Sequence, residues 1–223
     1  MSDTDSFIEE VTEEVRRDRL FLMLKRYGWI GGLAVVAIVG GAAYREYSKA
    51  QELTAAQALG DGMIAALAAD EPADRAEALA QVAAGSETGA AVAKMMRAGA
   101  LAEAEDTETA VAVLSEVATD GELPLVYRHI ASFKALALQA ETLSLEERRL
   151  QYEALAQPGA PLSLLASEQL ALLDIEAGET EAAIARLQAI TADATVSRDL
   201  QDRATQVIVA LGGKPDAADA PEG

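Results

Sequence analysis

The sequence has no cysteine, only one histidine, six prolines and few aromatic residues, which make up 4% of its 223 positions. Without cysteine the chain has no disulfides, no thiolate chemistry and no cysteine metal sites. One histidine is too few for a histidine-rich metal site. Few stretches alternate between apolar and polar residues, and the abundant alanine, leucine and glutamate favour helix. The composition therefore predicts an all-α protein.

Basic residues are also scarce, since 18 lysines and arginines face 37 acids and the formal net charge is −19. An acidic body repels phosphate backbones, which argues against nucleic acid as a partner. The sequence has no phosphate-binding glycine loop, GxSxG elbow or HExxH pair. Carboxylate pairs such as Glu146-Glu147 are neighbours in sequence and face different directions on a helix. We therefore expect a protein that is not an enzyme, with no catalytic, cofactor-binding or metal-binding residues.

His129, the one histidine, lies in the helical run LPLVYRHIASFKALAL beside the apolar stripe Val126, Ile130 and Phe133. A catalytic base or metal ligand needs partner residues, and the sequence offers no second histidine. We expect His129 to be a helix-packing residue.

Residues 27–44 form a run of eighteen residues without a charge. As a helix this run is roughly 27 Å long, slightly shorter than a hydrocarbon core of about 30 Å. Lys25, Arg26 and Arg45 flank it and can extend toward the lipid headgroups. The ends carry the aromatic residues typical of a membrane-spanning helix: Tyr27, Trp29, Tyr44 and Tyr47. The pattern predicts a transmembrane anchor, with the lipid bilayer as its surroundings.

Lysines and arginines indicate the orientation of this anchor. Five of them precede the span, whereas only Arg45 and Lys49 follow it closely. The positive-inside rule then places residues 1–26 in the cytosol as an amphipathic helix, for which Ser6 and Glu9 form a predicted capping box. A cleaved signal peptide is the alternative, with small residues at 41–43 offering a cleavage site after Ala43. The long, acid-rich start of the chain favours an uncleaved anchor.

Gly28 and Gly32 form a GxxxG pair in the span, and Ala37 with Gly41 forms a second pair of small residues. This spacing allows two helix backbones to approach closely. Glycine is common in spanning helices, so a homodimer through Gly28 and Gly32 is one hypothesis beside an ordinary monomeric span.

Beyond the anchor, helix is predicted to continue to about Asp70, where Glu71-Pro72 ends it. Turn signals then recur between amphipathic runs, at Gly85-Ser86, Glu105-Asp106, Asp120-Gly121, Pro158-Gly159 and Gly178. This spacing is typical of antiparallel helix pairs.

A repeating period runs through the apolar positions beyond the anchor. Leu79, Leu114, Tyr152 and Leu187 recur at nearly constant spacing, and each is followed three positions later by another apolar residue, namely Val82, Val117, Leu155 and Ile190. Their spacing is close to the tetratricopeptide period of about 34 residues. It predicts an α-solenoid of helix pairs over residues 45–211.

Small residues are predicted where the two helices of a pair meet, at Ala110 and Ala183. Arg148 occupies this position in the third unit, which is also slightly longer than the others, so we expect that unit to be distorted. In the last unit, Glu181 and Gln188 should face solvent. Residues 195–211 read as a capping helix, and 212–223 as a disordered acidic tail.

The order of these segments resembles a known family. The cytosolic stretch EEVTEEVRRDRLFLMLKRYG, the Gly/Ala-rich span, the stretch YREYSKAQELTAAQALGDGMIAAL and the degenerate repeats are similar to the bacterial tetratricopeptide-like family that includes the ancillary subunit of the SecYEG translocon. The resemblance implies an inner-membrane protein with its N-terminus in the cytoplasm and its bulk in the periplasm. It also implies translocon subunits, periplasmic chaperones or exported proteins as partners.

The expected function is thus a membrane-anchored protein–protein interaction module that assists exported proteins beside the translocon. The alternative is a structural scaffold for another envelope complex, in division or outer-membrane assembly. Bases on the first helix of each pair are candidates for contacts with acidic or carboxyl-terminal groups of a partner, the alternative being pairing within the domain: Lys94, Arg97, Arg128 and Lys134.

Overall fold

The computed structural model describes the backbone of residues 3–214, and the side chains of residues 21, 23 and 25–214. Within this range the chain forms nine α-helices and no strand, which confirms the all-α prediction. The helices are α1 (Asp3–Leu67), α2 (Pro72–Ala80), α3 (Glu87–Glu103), α4 (Thr107–Thr119), α5 (Leu125–Leu138), α6 (Leu145–Leu155), α7 (Ser163–Glu176), α8 (Thr180–Thr191) and α9 (Arg198–Ala210).

The chain divides into two compact units, 1–55 and 56–223. The described part of the first unit, residues 3–55, lies within the single helix α1. This helix begins at Asp3, so the predicted cap at Ser6 is wrong: Ser6 lies inside the helix. The side chains of residues 1–20, which carry the predicted amphipathic pattern, lie outside the described residues.

The end of α1 also differs slightly from the prediction, because the helix stops at Leu67 rather than near Asp70. Pro72 does not follow that end directly. It occupies the first turn of α2, where its fixed φ suits a helix and its missing N–H costs nothing.

In the second unit, each helix from α2 to α9 packs against the next one in the chain, and α5 with α6 makes the smallest of these contacts. Three clusters of buried side chains follow one another along the unit. The first reaches from Ala66 to Ala135, the second surrounds Leu170 and Tyr152, and the third surrounds Leu187 and Ile208.

The five predicted turn signals all fall between helices. Two of them supply N-caps, since Ser86 accepts a hydrogen bond from the Gly89 N–H and Asp106 accepts one from the Thr109 N–H. A third, Gly178, has a φ of 80°, which ends α7 with a left-handed residue.

The turn between α5 and α6 was not predicted. A capping box closes it, in which Ser144 and Glu147 satisfy each other's backbone N–H groups. This box starts α6 at Leu145.

The periodic apolar positions lie on the even-numbered helices and face the interior. Leu79, Leu114, Tyr152 and Leu187 are all at most 4% exposed. Their partners three positions later are buried too, except Val82, which is partly buried against the first cluster.

The small positions Ala110 and Ala183 are completely buried. Glu181 is exposed as expected. Gln188 was expected to face solvent but is partly buried. Its side-chain amide donates a hydrogen bond to the Lys214 carbonyl at 3.0 Å.

The two halves of the second unit correspond at a constant offset in the numbering. We call it the half-repeat offset and define it as the separation between Pro72, where α2 begins, and Leu145, where α6 begins. The same offset relates the starts of α4 and α8, the starts of α5 and α9, and the ends of α3 and α7. Helices α2–α5 therefore correspond in order and numbering to α6–α9.

The first residues of the predicted tail continue the ordered chain. The Gly213 N–H donates to the Ile208 carbonyl at 2.9 Å, and the Gly212 N–H donates to the Val209 carbonyl at 3.0 Å. These bonds terminate α9 with a left-handed Gly212. The rest of the tail, residues 215–223, lies outside the described residues.

Candidate interaction groove

An open groove of about 540 Å³ runs across three alternate helices of the second unit, α5, α7 and α9. We call it the α5/α7/α9 groove, and it is lined by Phe133, Leu165, Glu168, Gln169, Leu172, Arg203, Gln206 and Val207. The residues from α7 and from α9 follow the i, i+3, i+4 pattern, which places each set on one face of its helix. The opposite face of α7 carries the buried residues Ala166, Leu170 and Leu173.

Apolar side chains make up the body of the groove. Phe133 packs edge-to-face on Tyr152 of α6, with ring centroids 5.6 Å apart, so one side of its ring belongs to the core and the other lines the groove. Leu172 remains 42% exposed. An exposed leucine beside a fixed aromatic ring offers apolar surface to a binding partner.

One ion pair crosses the groove between α7 and α9. Arg203 donates through Nε and Nη2 to the two carboxylate oxygens of Glu168, at 2.9 and 2.8 Å. This bidentate hydrogen bonding raises the pKa of the Arg203 guanidinium above its ordinary value. The pair connects two groove helices and leaves the two charges mutually neutralised.

Gln169 and Gln206 complete the polar part of the lining. A primary amide both donates and accepts hydrogen bonds, so these two side chains can pair with backbone groups of a bound peptide. The groove thus combines apolar surface, neutral hydrogen-bonding groups and one satisfied ion pair. This set of groups is suited to binding.

A buried ionic cluster lies beneath the groove helices. Asp174 on α7 is 1% exposed and accepts hydrogen bonds from Arg149 on α6 and Arg186 on α8, the latter at 3.0 Å. The hydrogen bond to Asp174 raises the pKa of Arg149, and Glu179 adds to the same effect. The cluster joins three successive helices through charged side chains where the rest of the interior is apolar.

A second depression of about 590 Å³ lies between α7 and α8, and its lining includes three alanines together with Leu164, Ser167, Ile190 and Asp193. Its one base is Arg186, which is already bound to Asp174. The depression therefore offers few charged groups that are free to bind a ligand.

The four bases singled out in the sequence behave differently. Lys94 pairs with Glu116 on α4 at 2.8 Å, as the alternative of pairing within the domain predicted. Arg97 and Arg128 have no ion pair among the described residues, and the Nε of each is buried without a hydrogen-bond partner. Lys134 is exposed and follows a groove residue in the chain. None of the four lines the α5/α7/α9 groove.

His129 lies on α5 and is partly buried, with no hydrogen bond to Nδ1. Within the part of the chain that the structure describes, no group of three or more histidines, aspartates and glutamates could hold a metal ion. The packing interpretation of His129 is therefore consistent with its position.

Lys25–Leu67 is the one described helical segment that is long and apolar enough to cross a membrane, and its apolar window is not buried by the rest of the chain. Gly28 and Gly32 are uncovered as well, since a Cβ added at either position would meet no atom within 4 Å. The apolar surface of this segment is thus available to lipid.

The sequence did not predict the α5/α7/α9 groove or the buried Asp174. A signal for Asp174 does exist, because a lone acid interrupts the apolar run LALLDI at a position that the helical period assigns to the core. No family model, curated protein or solved structure matches the chain significantly.

Proposed function

We propose that the chain is a membrane-anchored protein–protein interaction module, which binds its partner in the α5/α7/α9 groove. The observation that carries the proposal is that three alternate helices each contribute side chains to a single open, apolar groove. Proteins built from stacked helix pairs use such a surface to bind peptides and other proteins. The recurrence of the apolar positions and their burial support a tetratricopeptide-like α-solenoid, with α9 as its capping helix.

Residues 27–44 are the proposed anchor. The apolar, uncovered helix supports a single membrane span, and the excess of lysine and arginine before it supports a cytoplasmic N-terminus. The second unit then lies in the periplasm of a bacterial cell, tethered to the inner membrane.

The proposed partner is the Sec translocon, beside which the module assists exported proteins together with periplasmic chaperones. Support for this partner comes from the segment order and from the stretches that resemble the translocon-associated tetratricopeptide-like family. The acidic charge of the chain, −19, favours protein partners over nucleic acid.

Photo-crosslinking in native membranes tests this proposal. A photoreactive amino acid replaces Leu172, which is 42% exposed in the groove, and in a matched control it replaces Leu150, which is 69% exposed on α6 outside the groove. We expect the Leu172 position, and not the Leu150 position, to crosslink to translocon subunits or to chains in export. Crosslinks to a different stable envelope complex, with translocon subunits absent, would contradict the translocon assignment and support the scaffold alternative.

A further inference from the structure

Helix α1 carries a positively charged stretch in a chain that is otherwise acidic. Residues 16–26 contain five lysines and arginines and one acid, whereas the whole chain has a formal net charge of −19. Residues 1–15 contain six acids and no lysine or arginine. The backbone of α1 runs from Asp3 to Leu67 without a break, so the basic stretch and the acids before it share one helix. Positive charge is thus concentrated next to the proposed anchor, and the acids lie farther from it.

Three of these bases have no acid at the spacing where helical ion pairs form. A base and an acid pair along a helix when they are three or four positions apart, and Asp18, which is adjacent to Arg19, does not meet this condition. The bases at 16 and 17 have acids at this spacing, whereas Arg19, Lys25 and Arg26 have none. Among the described side chains Lys25 and Arg26 form no ion pair. The helix itself therefore supplies no counter-charge to these three positions.

The apolar stretch LFLML, residues 20–24, separates Arg19 from Lys25. Five helical residues rise about 7.5 Å, which is close to the roughly 5–8 Å depth of the headgroup region on one side of a bilayer. Phe21 and Met23 in this stretch are 70% and 63% exposed, so the described chain does not cover them. With Lys25 and Arg26 at the edge of the hydrocarbon core, the apolar stretch crosses the headgroup region and Arg19 lies at its outer boundary. The three bases therefore lie on both sides of the layer that contains the lipid phosphates.

The acids at the start of α1 are too distant to neutralise Lys25 and Arg26. Glu14 is the nearest of the six and lies twelve positions before Arg26, about 18 Å along the helix. Charges in water are screened beyond about 8 Å at physiological ionic strength. A basic stretch beside a membrane span is attracted to anionic lipids, whose phosphates surround the helix at this depth. An acidic protein partner reaches the same bases only by displacing that lipid, so the position of the bases favours lipid.

We propose that residues 19–26 bind the headgroups of anionic phospholipids, with Arg19, Lys25 and Arg26 as the contacts to phosphate. In the proposed topology these lipids belong to the cytoplasmic leaflet. The proposal rests on the anchor and is independent of the partner that occupies the α5/α7/α9 groove. It adds a second interaction surface to the chain, at the cytoplasmic end of the span.

Trp29 provides a local probe of this surface. It is the chain's only tryptophan, it lies three positions after Arg26, and it is 67% exposed. The full-length protein is reconstituted in bilayers of zwitterionic phosphatidylcholine and anionic phosphatidylglycerol in equal parts, in which one lipid or the other carries bromine. Bromine quenches tryptophan fluorescence at short range, so the ratio of the two quenching curves gives the preference for anionic lipid beside Trp29.

The test variant combines Arg19→Gln, Lys25→Gln and Arg26→Gln, which removes three charges and keeps good helix-forming residues at these positions. The matched control combines Arg45→Gln with Lys49→Gln at the other end of the span. Arg45 lies sixteen positions after the tryptophan, about 24 Å along the helix. The control therefore removes basic charge without changing the surface near the probe.

We expect brominated phosphatidylglycerol to quench the wild-type protein more strongly, with a preference of about fivefold, the contribution of roughly one base near an anionic surface. The preference should be lost in the test variant, retained in the control and reduced by added salt, because the contacts are exposed and screened. Equal quenching by both lipids, or a preference that the test variant retains, would overturn the proposal. Equal quenching would leave the anchor intact, whereas quenching by neither lipid would overturn the anchor together with the proposal.

Discussion

Arg75 and Arg148 occupy equivalent positions in the two halves of the second unit, and each pairs with a glutamate on the following helix, Arg75 with Glu103 and Arg148 with Glu176. Both glutamates are more than half exposed, so the pairs add little stability. The two pairs instead mark equivalent helix positions in the two halves. Arg148 was expected to distort the third unit, but Arg75 occupies the same position in the first. The four units carry Arg75, Ala110, Arg148 and Ala183 at this position, so arginine and alanine alternate.

The buried ionic cluster of α6, α7 and α8 corresponds to an apolar layer in the other half of the unit. The half-repeat offset relates Arg149, Asp174 and Arg186 to three residues that are buried in the first cluster, namely Ala76, Leu101 and Val113. Asp174→Ala should cost about 3 kcal/mol, because it leaves Arg186 without its counter-charge and Arg149 with only the more distant Glu179. The triple variant Arg149→Ala, Asp174→Leu and Arg186→Val should regain most of that loss.

Thermal unfolding of residues 46–223 measures both variants. A triple variant that is less stable than Asp174→Ala would show that the two halves are not interchangeable at this layer.

The same correspondence applies to the left-handed residues that follow α3 and α7. Glu105 has a φ of 63°, and Gly178, its equivalent in the other half, has a φ of 80°. In both turns the N–H of the following residue donates a hydrogen bond to a carbonyl near the end of the preceding helix. The Asp106 N–H donates to the Leu101 carbonyl, and the Glu179 N–H donates to the Asp174 carbonyl. Glycine adopts this conformation without the steric cost that a side chain adds, so Glu105→Gly should stabilise the domain by up to about 1 kcal/mol.

Gly178→Ala should destabilise the domain by a similar amount, measured by the same unfolding experiment. Opposite signs for the two substitutions are the expected result, and destabilisation by both would contradict the explanation from backbone strain.

Burial at the last helix pair gives a test of the repeat register. Leu187 and Ala183 are both completely buried. Leu187→Ala should cost on the order of 2–5 kcal/mol, and Ala183→Arg should be at least as damaging since close packing cannot absorb its volume. Glu181→Ala should stay within about 0.5 kcal/mol, because Glu181 is exposed. Tolerance of Ala183→Arg in a denaturant titration would mean that the small position is misassigned.

The short apolar run of the proposed anchor makes its insertion sensitive to one charge. Val36→Lys should disfavour insertion by roughly 2.5–3.5 kcal/mol at the helix centre, comparable with the combined contribution of the large apolar residues of the span. We expect much of this variant to be missing from the membrane fraction. Normal membrane yield would indicate that a partner helix holds the span in place.

Periodicity was sufficient to predict the helices and the inward positions of this chain, because Leu114 and Leu187 recur where a helical face must be buried. Turn positions were predictable from Gly178 and Asp106, whose backbone preferences are local. The groove was not predictable from the sequence, because its residues on α5, α7 and α9 are far apart in sequence and meet only through packing. Asp174 was missed for a different reason: its two arginine partners lie on other helices.

The proposed topology places the acidic helical unit outside the cytoplasm on an uncleaved anchor. Fusion of a reporter after residue 223 tests it most directly, using alkaline phosphatase, which is active only in the periplasm, and a fluorescent protein that matures only in the cytoplasm. We predict an active phosphatase and a dark fluorescent fusion, both in the membrane fraction, on a chain that retains residues 1–26. A bright cytoplasmic fusion would contradict the orientation, and a mature chain that begins at Tyr44 would contradict the anchor.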